Sequence, residues 1–280
     1  MINFPCAKIN LGLTITAKRS DGYHDLETVF YPIPLTDALE IQLAESNSTS
    51  TNPCDITVTG IPVAGNEQDN LVVKAYNLLA ADYELPHIQV HLTKRIPSQA
   101  GLGGGSSDCA FMIRLLNKQF QLDISTVKME QYAAQLGSDC AFFINAKPAF
   151  ATGRGELLEP ISEGLQQLDG YYIAIVKPNI DVSTGKAFAQ ITCIRPSKSC
   201  LDIVKQPIET WAKELINDFE QPIFAAHSKL EEIKVKLYQR GAIYAAMSGS
   251  GSALFGLFAE EPIELSANFA DCFTFVAPLK

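Results

Sequence analysis

Three groups of residues in this sequence have the types and spacing to do chemistry. The longest is Pro97-Ser98-Gln99-Ala100-Gly101-Leu102-Gly103-Gly104-Gly105-Ser106-Ser107-Asp108, in which four of the five positions from Gly101 are glycine. Without Cβ atoms such a backbone can close on a bulky anion, and glycine tolerates the positive φ angles that make successive N–H groups converge. Ser106, Ser107 or Asp108 can cap a helix that follows, whose N-terminus carries partial positive charge and unpaired donors. Lys94 and Arg95 stand just upstream with full charge. The stretch reads as a phosphate cradle, since a plain joint between strand and helix needs one or two glycines rather than four with a Ser pair. It is neither a Walker loop, which ends Gly-Lys-Ser/Thr, nor the dinucleotide pattern GxGxxG, which needs glycine where Ser106 stands.

Lys8 and Asn10 form the second group. Residues 2–16 alternate as a strand, with Ile9, Leu11, Leu13 and Ile15 on one face and Lys8, Asn10, Gly12 and Thr14 on the other. An ammonium and an amide at i and i+2 then point the same way, either toward one ligand or at a solvated sheet edge. Asp139 is the third, a carboxylate in Gly137-Ser138-Asp139-Cys140-Ala141-Phe142-Phe143, between a turn and an apolar run. Burial there is costly without a partner, so Asp139 is either a helix cap or a functional acid. Arg19-Ser20-Asp21-Gly22-Tyr23-His24 is a turn whose Tyr23 either stacks on a planar ligand or fastens the turn to the core. The later loop Ser248-Gly249-Ser250-Gly251-Ser252 has the same anion-friendly character as the first. His87 and His91 look like a metal pair, but on a strand their spacing is about 13 Å at roughly 3.3 Å per residue, too far to share an ion.

The glycine stretch needs a strand before it and a helix behind it, and residues 88–93 and 109–116 have those patterns. Residues 70–83 carry Leu71, Ala75, Leu78 and Leu79 at helical spacing, with Asp69 or Asn70 as cap. Residues 124–136 form another helical run, capped by Ser125 or Thr126. Strands at 26–33 and 38–43 make the chain open as an antiparallel meander, followed by a Ser/Thr/Asn-rich loop over 45–52 and a short strand at 56–59. Gly153-Arg154-Gly155-Glu156 is a hairpin turn that approaches a domain boundary near residue 160. Beyond it, strands at 171–176, 242–247 and 269–276 accompany helical segments from 183 and over 208–215 and 229–240. That half is a small α+β domain with helices on an antiparallel sheet.

A chain of 280 residues accommodates two medium domains, here 1–160 and 161–280. Its net charge of -9 argues against a nucleic-acid surface, but not against an anionic small ligand held by local donors. The seven cysteines are scattered and never in CxxC spacing, which fits reduced cytosolic thiols rather than a disulfide framework or a zinc site. No signal-peptide pattern opens the chain, and no stretch approaches the roughly 20 apolar residues of a membrane span. The expectation is a cytoplasmic enzyme.

Pro97-x-x-x-Gly101-Leu102-Gly103-Gly104-Gly105-Ser106-Ser107 resembles the signature loop of the GHMP kinases (galactokinase, homoserine, mevalonate and phosphomevalonate kinases). Ala7-Lys8-Ile9-Asn10-Leu11 and Gly249-Ser250-Gly251-Ser252 are similar to the first and third motifs of that family, so the likeness spans nearly the whole chain. Within it, the segments Pro5 with Ala7 to Leu13, Arg19 with Asp21-Gly22-Tyr23-His24, Lys94-Arg95-Ile96-Pro97 and Gly137-Ser138-Asp139 resemble one branch. That branch phosphorylates the 2-hydroxyl of 4-diphosphocytidyl-2-C-methyl-D-erythritol in non-mevalonate isoprenoid synthesis. The resemblance implies a two-domain α+β fold: an N-terminal ribosomal-protein-like β-α domain, a smaller C-terminal α+β sandwich and an active site in the cleft between them. It implies ATP, Mg2+ and CDP-methylerythritol as small-molecule partners and neither nucleic acid nor membrane; ligands for the ion and the oligomeric state stay unassigned.

By the same likeness Asp139 is a general base assisted by Lys8, and Asn10 a substrate-orienting amide. Tyr23, His24, Lys94, Thr184 and Phe188 fall around the cytidine diphosphate, with Tyr23 and Phe188 on either side of the cytosine. Gly101, Leu102, Gly103, Gly104, Gly105, Ser106 and Ser107 hold the ATP phosphates behind Pro97, and Asn70 and Leu71 lie where the adenine is expected. Where the branch commonly reads Val-Pro after the aspartate, this chain has Cys140-Ala141. A GHMP kinase for mevalonate or homoserine would have no base to stack on Tyr23 and Phe188. A non-catalytic nucleotide- or RNA-binding module fits neither the acidic balance nor the Lys8 and Asp139 pair.

Overall fold

The computed structural model of the protein describes residues 1–44, 52–63, 65–161, 164–182, 184–188, 191, 193 and 197–279. Most of the loop expected over 45–52 lies outside the described residues, as does Ser183. The chain forms two compact units, one of Met1–Ala7, Leu35–Ser98 and Gly103–Ala146, the other of Lys8–Pro34, Gln99–Leu102 and Lys147–Lys280.

The first unit is built on a four-stranded sheet in the order Ile2–Asn3, Ala38–Leu43, Ile88–Lys94, Cys54–Gly60. Strand Ile88–Lys94 buries Ile88, Val90, Leu92 and Lys94 and turns Gln89 and His91 to water, so the two-residue period decides which side chains enter the core. It runs parallel to Cys54–Gly60, and helix Leu71–Ala80 supplies the crossover that parallel neighbours require. Asn70 caps that helix as expected, its Oδ1 accepting the Val72 N–H at 2.9 Å. Ser125 caps Thr126–Leu136 in the same way, through the Lys128 N–H at 3.3 Å. The capping expected of Ser106, Ser107 or Asp108 is not found. Helix Gly104–Phe120 starts earlier, and Gly103, at φ 72° and ψ 16°, takes the cap position with no side-chain bond. A left-handed glycine there lets the chain turn into the helix abruptly, and the serines fall inside its first turn.

Most of strands Cys6–Lys18 and His24–Thr36 belongs to the second unit, in a four-stranded sheet continued by Ala149–Thr152 and Leu157–Pro160. The single strand expected over 2–16 is thus two strands, and the opening meander is shared between two sheets because Ala38–Leu43 pairs elsewhere. A further sheet, antiparallel throughout, has the order Tyr244–Met247, Leu254–Phe258, Tyr172–Pro178, Cys272–Pro278. Leu13, Ile15, Val176, Phe219, Leu230, Ile233, Leu237 and Leu254 share its core, where each large apolar side chain contributes about 1.5–3 kcal/mol. Trp211 on helix Ile208–Glu214 is fully buried, donates its indole N–H to Gln206 O at 3.1 Å and meets Tyr244 edge-on. The fold is α+β, as the sequence indicates. Among the described residues no helix is long and apolar enough to cross a membrane.

Candidate functional site

Strand parity puts Lys8 and Asn10 on one side of Cys6–Lys18, but that side is closed to water: Lys8 is 3% exposed and Asn10 2%. Lys8 Nζ donates to Asn10 Oδ1 at 2.7 Å and to Gly101 O at 2.9 Å, and lies 5.0 Å from the centre of the Phe30 ring. Asn10 Nδ2 donates to Thr28 Oγ1 at 3.0 Å, and the Thr28 hydroxyl donates to Gly12 O. This chain of donors fixes the Asn10 amide with its oxygen toward the lysine. Ser248 Oγ donates to the same Gly101 carbonyl at 2.9 Å. Gly101 has φ +73°, and a Cβ there would stand 1.9 Å from Ser248 O, so only glycine lets the two loops touch. Asn217 Nδ2 holds the later loop by donating to Met247 O at 2.7 Å and Gly249 O at 2.8 Å. Three motifs remote in sequence therefore meet, within the second unit, around one buried ammonium. The solvated-edge alternative for Lys8 falls.

The turn before Tyr23 is self-made. Arg19 pairs with Asp21 at 3.0 Å and Asp25 at 2.9 Å, and Asp21 Oδ1 accepts the Tyr23 N–H at 3.1 Å. Tyr23 is 57% exposed, with the Arg154 guanidinium carbon 4.9 Å from its ring centre; it does not fasten the turn to the core. His24 stacks on Phe188 with centroids 4.9 Å apart and planes 16° apart, and Phe188 meets Phe219 edge-on at 4.8 Å. The His24 ring therefore lies against Phe188, one of the two rings expected beside the cytosine. Thr184 opens helix Thr184–Phe188.

In the first unit a cavity of about 620 Å³ is lined by Gly60, Val63, Asn70, Leu71, Lys94, Ser98, Gly105 and Asp108 among others. It gathers Asn70, Leu71 and Gly105, three of the residues expected at ATP. Pro97 and Ser107 are buried, Ser106 is half-buried, and a Cβ on Gly104 would stand 2.9 Å from Ile96 Cγ2 and 3.4 Å from Lys94 Nζ. Lys94, expected around the cytidine diphosphate, lines this cavity too, because strand parity points it inward, and its ammonium donates to Asp37 Oδ2 and, at 2.6 Å, to Asp108 Oδ2. Burial works against charge on Lys94, but Asp108 and Asp37 outweigh it and raise its pKa above the ordinary lysine value. Burial pushes the Asp108 carboxyl up to about 7; Lys94 opposes that rise and Asp37 adds to it.

Asp139 occupies the position before helix Cys140–Asn145, half-buried, at φ -81° and ψ -12°, without a capping bond from its side chain. Capping does not account for it. Cys140, standing where the branch has valine, still starts a helix; its buried thiol is drawn below the usual cysteine range by a hydrogen bond with Cys109, against the effect of burial. His87 and His91 have separate partners, Asp55 at 2.9 Å and Thr59 at 3.0 Å. Among the described residues no three His, Cys, Asp or Glu side chains are grouped to hold a metal ion.

Thr28, Asp37 and Asn217 carry parts of these sites without having stood out in the sequence. All three act on groups far along the chain, and no local pattern announces such contacts. For Lys94 the signal was present, since counting by twos along its strand places it with Val90 and Leu92.

Residues 70–147 match the GHMP kinases N terminal domain, and residues 203–272 match the GHMP kinases C terminal family. A Bacteroides fragilis protein named 4-diphosphocytidyl-2-C-methyl-D-erythritol kinase is 50% identical over 280 residues, 100% of both chains. A Bacteroides thetaiotaomicron protein of the same name is 52% identical over 261 residues, 93% of each. The crystal structure of a 4-(cytidine 5'-diphospho)-2C-methyl-D-erythritol kinase superposes with a TM-score of 0.81 at 27% identity, covering 100% of both chains. The Methanococcus jannaschii mevalonate kinase, at TM-score 0.67 and 14% identity over 100% of this chain and 98% of its own, shares the fold. On this similarity the chain belongs to the 4-diphosphocytidyl-2-C-methyl-D-erythritol kinase family of the GHMP kinases, and it is a small-molecule kinase.

Proposed function

We propose that the protein transfers the γ-phosphoryl group of ATP to the 2-hydroxyl of 4-diphosphocytidyl-2-C-methyl-D-erythritol, a step in isoprenoid precursor synthesis. The observation that carries the reading is the end-to-end match to kinases named for that alcohol. The meeting of three motifs at Lys8 supports it.

Phosphoryl transfer asks a protein chiefly for positioning and charge stabilisation. Asn70 and Leu71 receive the base of ATP, and the first N–H groups of helix Gly104–Phe120 receive its phosphates, where a helix N-terminus favours anions. Mg2+ is a hard ion that keeps water and takes phosphate oxygens, so the nucleotide brings it, and bound there it neutralises phosphate charge. Asp139 accepts the hydroxyl proton. Lys8, oriented by Asn10 and Gly101 O, assists that step by offsetting charge on the transferring group. Asn10 orients the alcohol, and Tyr23, His24, Thr184 and Phe188 take the cytidine diphosphate, the His24 ring turning off Phe188 as the cytosine enters.

The test is a coupled ADP-release assay with CDP-methylerythritol, mevalonate and homoserine as acceptors. Turnover with the first alone is expected. Turnover with mevalonate or homoserine and none with the first would overturn the substrate. RNA retention that weakens steeply with salt, without ADP release, would overturn the catalytic reading altogether.

A further inference from the structure

The mechanism above leaves unused a set of buried charges beside the nucleotide cavity. Asp37, Lys94 and Asp108 are all buried, two carboxyl groups to one ammonium. Lys94 Nζ donates to Asp37 Oδ2 and to Asp108 Oδ2, the latter at 2.6 Å. The other Asp37 oxygen accepts the N–H groups of Arg95 and, at 2.8 Å, Ile96. Asp108 is not completed in this way: its buried Oδ1 takes no donor among the described residues, and neither does the buried Oγ of Ser107 beside it. The Asp37 and Asp108 carboxyl groups accept from the same ammonium, so one positive charge is shared by two buried acids. With a proton on Asp108 the trio is neutral; without it, two negative charges face one positive. The trio lies under the phosphate loop, Lys94 Nζ being 3.4 Å from where a Gly104 Cβ would stand, and Lys94, Asp108 and Gly105 line one cavity.

We propose that Asp37 and Asp108 are positioning residues for the nucleotide: they hold Lys94 beneath the phosphate loop, and the charge on Asp108, which lines the cavity with one oxygen unpartnered, sets the affinity of the cavity for a nucleoside polyphosphate. This rests on the ATP reading given above. The donors at the start of helix Gly104–Phe120 attract phosphate, and an uncompensated carboxylate behind them repels it. Charges roughly 8 Å apart at an effective dielectric near 20 interact strongly enough to change affinity about tenfold or more. Burial keeps the proton on Asp108 up to a pH of about 7, so the cavity binds more tightly on the acid side. The other charged or titratable groups around the trio are Arg95, next to Lys94, Cys109, whose thiol is held neutral, and the exposed Glu67 and Asp69 on the cavity lining. All of these are common to the chains compared below.

The experiment is calorimetric titration of the full chain with ATP and Mg2+, without any alcohol, from pH 6 to 8.5, for wild type, Asp108→Asn and Asp37→Asn. Titration of the ATP phosphates is the same for every chain, so the ratio of wild-type to variant Kd at each pH reads the trio alone. That ratio is expected to rise about tenfold from pH 6 to 8.5. Wild type is also expected to take up protons on binding near pH 7, seen as a dependence of the apparent enthalpy on the buffer's ionisation enthalpy, and the variants not. Should Asp108→Asn fail to fold, Asp37→Asn and wild-type proton uptake carry the same test. A flat ratio with equal proton uptake would overturn the proposal, even where the variants melt earlier, since a merely structural role moves Tm and not these readouts. No ATP binding by wild type at any pH would overturn the ATP reading, and is thereby distinguishable.

Discussion

Lys8 places a full positive charge where water scarcely reaches, and such a charge persists only if its donors are met. Asn10 Oδ1 and Gly101 O meet two of them, and the Phe30 face lies close by. The Asn10 amide cannot rotate to offer its NH2 group without breaking the bond to Thr28, so the ammonium is oriented before any ligand arrives. If Lys8 and Asp139 have the proposed roles, Lys8→Ala and Asp139→Asn each lower kcat by on the order of 10² or more, with a smaller effect on KM. Steady-state kinetics of the purified variants decide it; near-normal turnover in either removes that residue from the chemistry. Asn10→Ala takes an acceptor from a buried cation, and a stability loss of about 1–3 kcal/mol is expected by denaturant unfolding.

The glycine stretch serves two elements with different demands. Gln99–Leu102 presses on the later Gly/Ser loop, whereas Gly104 and Gly105 are already helical. Gly101→Ala would force a methyl group into Ser248 O at a positive φ, and a loss of more than about 2 kcal/mol is expected. Gly105→Ala meets only Leu71 Cδ1 at 3.8 Å and gains helix propensity, so it should hold the stability or raise it by up to about 1 kcal/mol, while raising KM for ATP if the loop has the proposed role. Thermal melts with ATP kinetics of both variants check the contrast; equal destabilisation would mean the stretch is one uniform loop. Helices and caps of this kind were legible beforehand because they rest on local chemistry: the Asn70 and Ser125 oxygens serve N–H groups two and three residues on. Pairings across the chain were not. The alternation in Cys54–Gly60 is the same for a parallel or an antiparallel neighbour, and Lys94 finds Asp37 57 residues away. The glycine loop and Lys8 could be picked out from residue types, but the side chains that hold Lys94, Lys8 and the late loop could not.

Each unit of the molecule contains a buried lysine, and Lys94 is held by two buried carboxyl groups. That arrangement ties the stability of the chain to a carboxyl titration. The Asp108 pKa is raised from an ordinary 3.8 to about 7 in the folded chain, chiefly by burial. Between those values the folded state keeps a proton that the unfolded chain has released, so stability falls with rising pH over that interval. The contribution is full below about pH 4 and gone above about pH 7. Asp218, also raised by burial, acts with the same sign, and exposed Asp21, lowered by its Tyr23 N–H contact, acts with the opposite one. Both are present whether or not position 108 is changed. Denaturant unfolding of wild type and Asp108→Asn from pH 4 to pH 8 therefore isolates the one group: the wild-type advantage should shrink steadily with pH and level off above 7. An advantage independent of pH would mean that Asp108 is ionised throughout, and that Lys94 alone suffices to hold two negative charges in the interior.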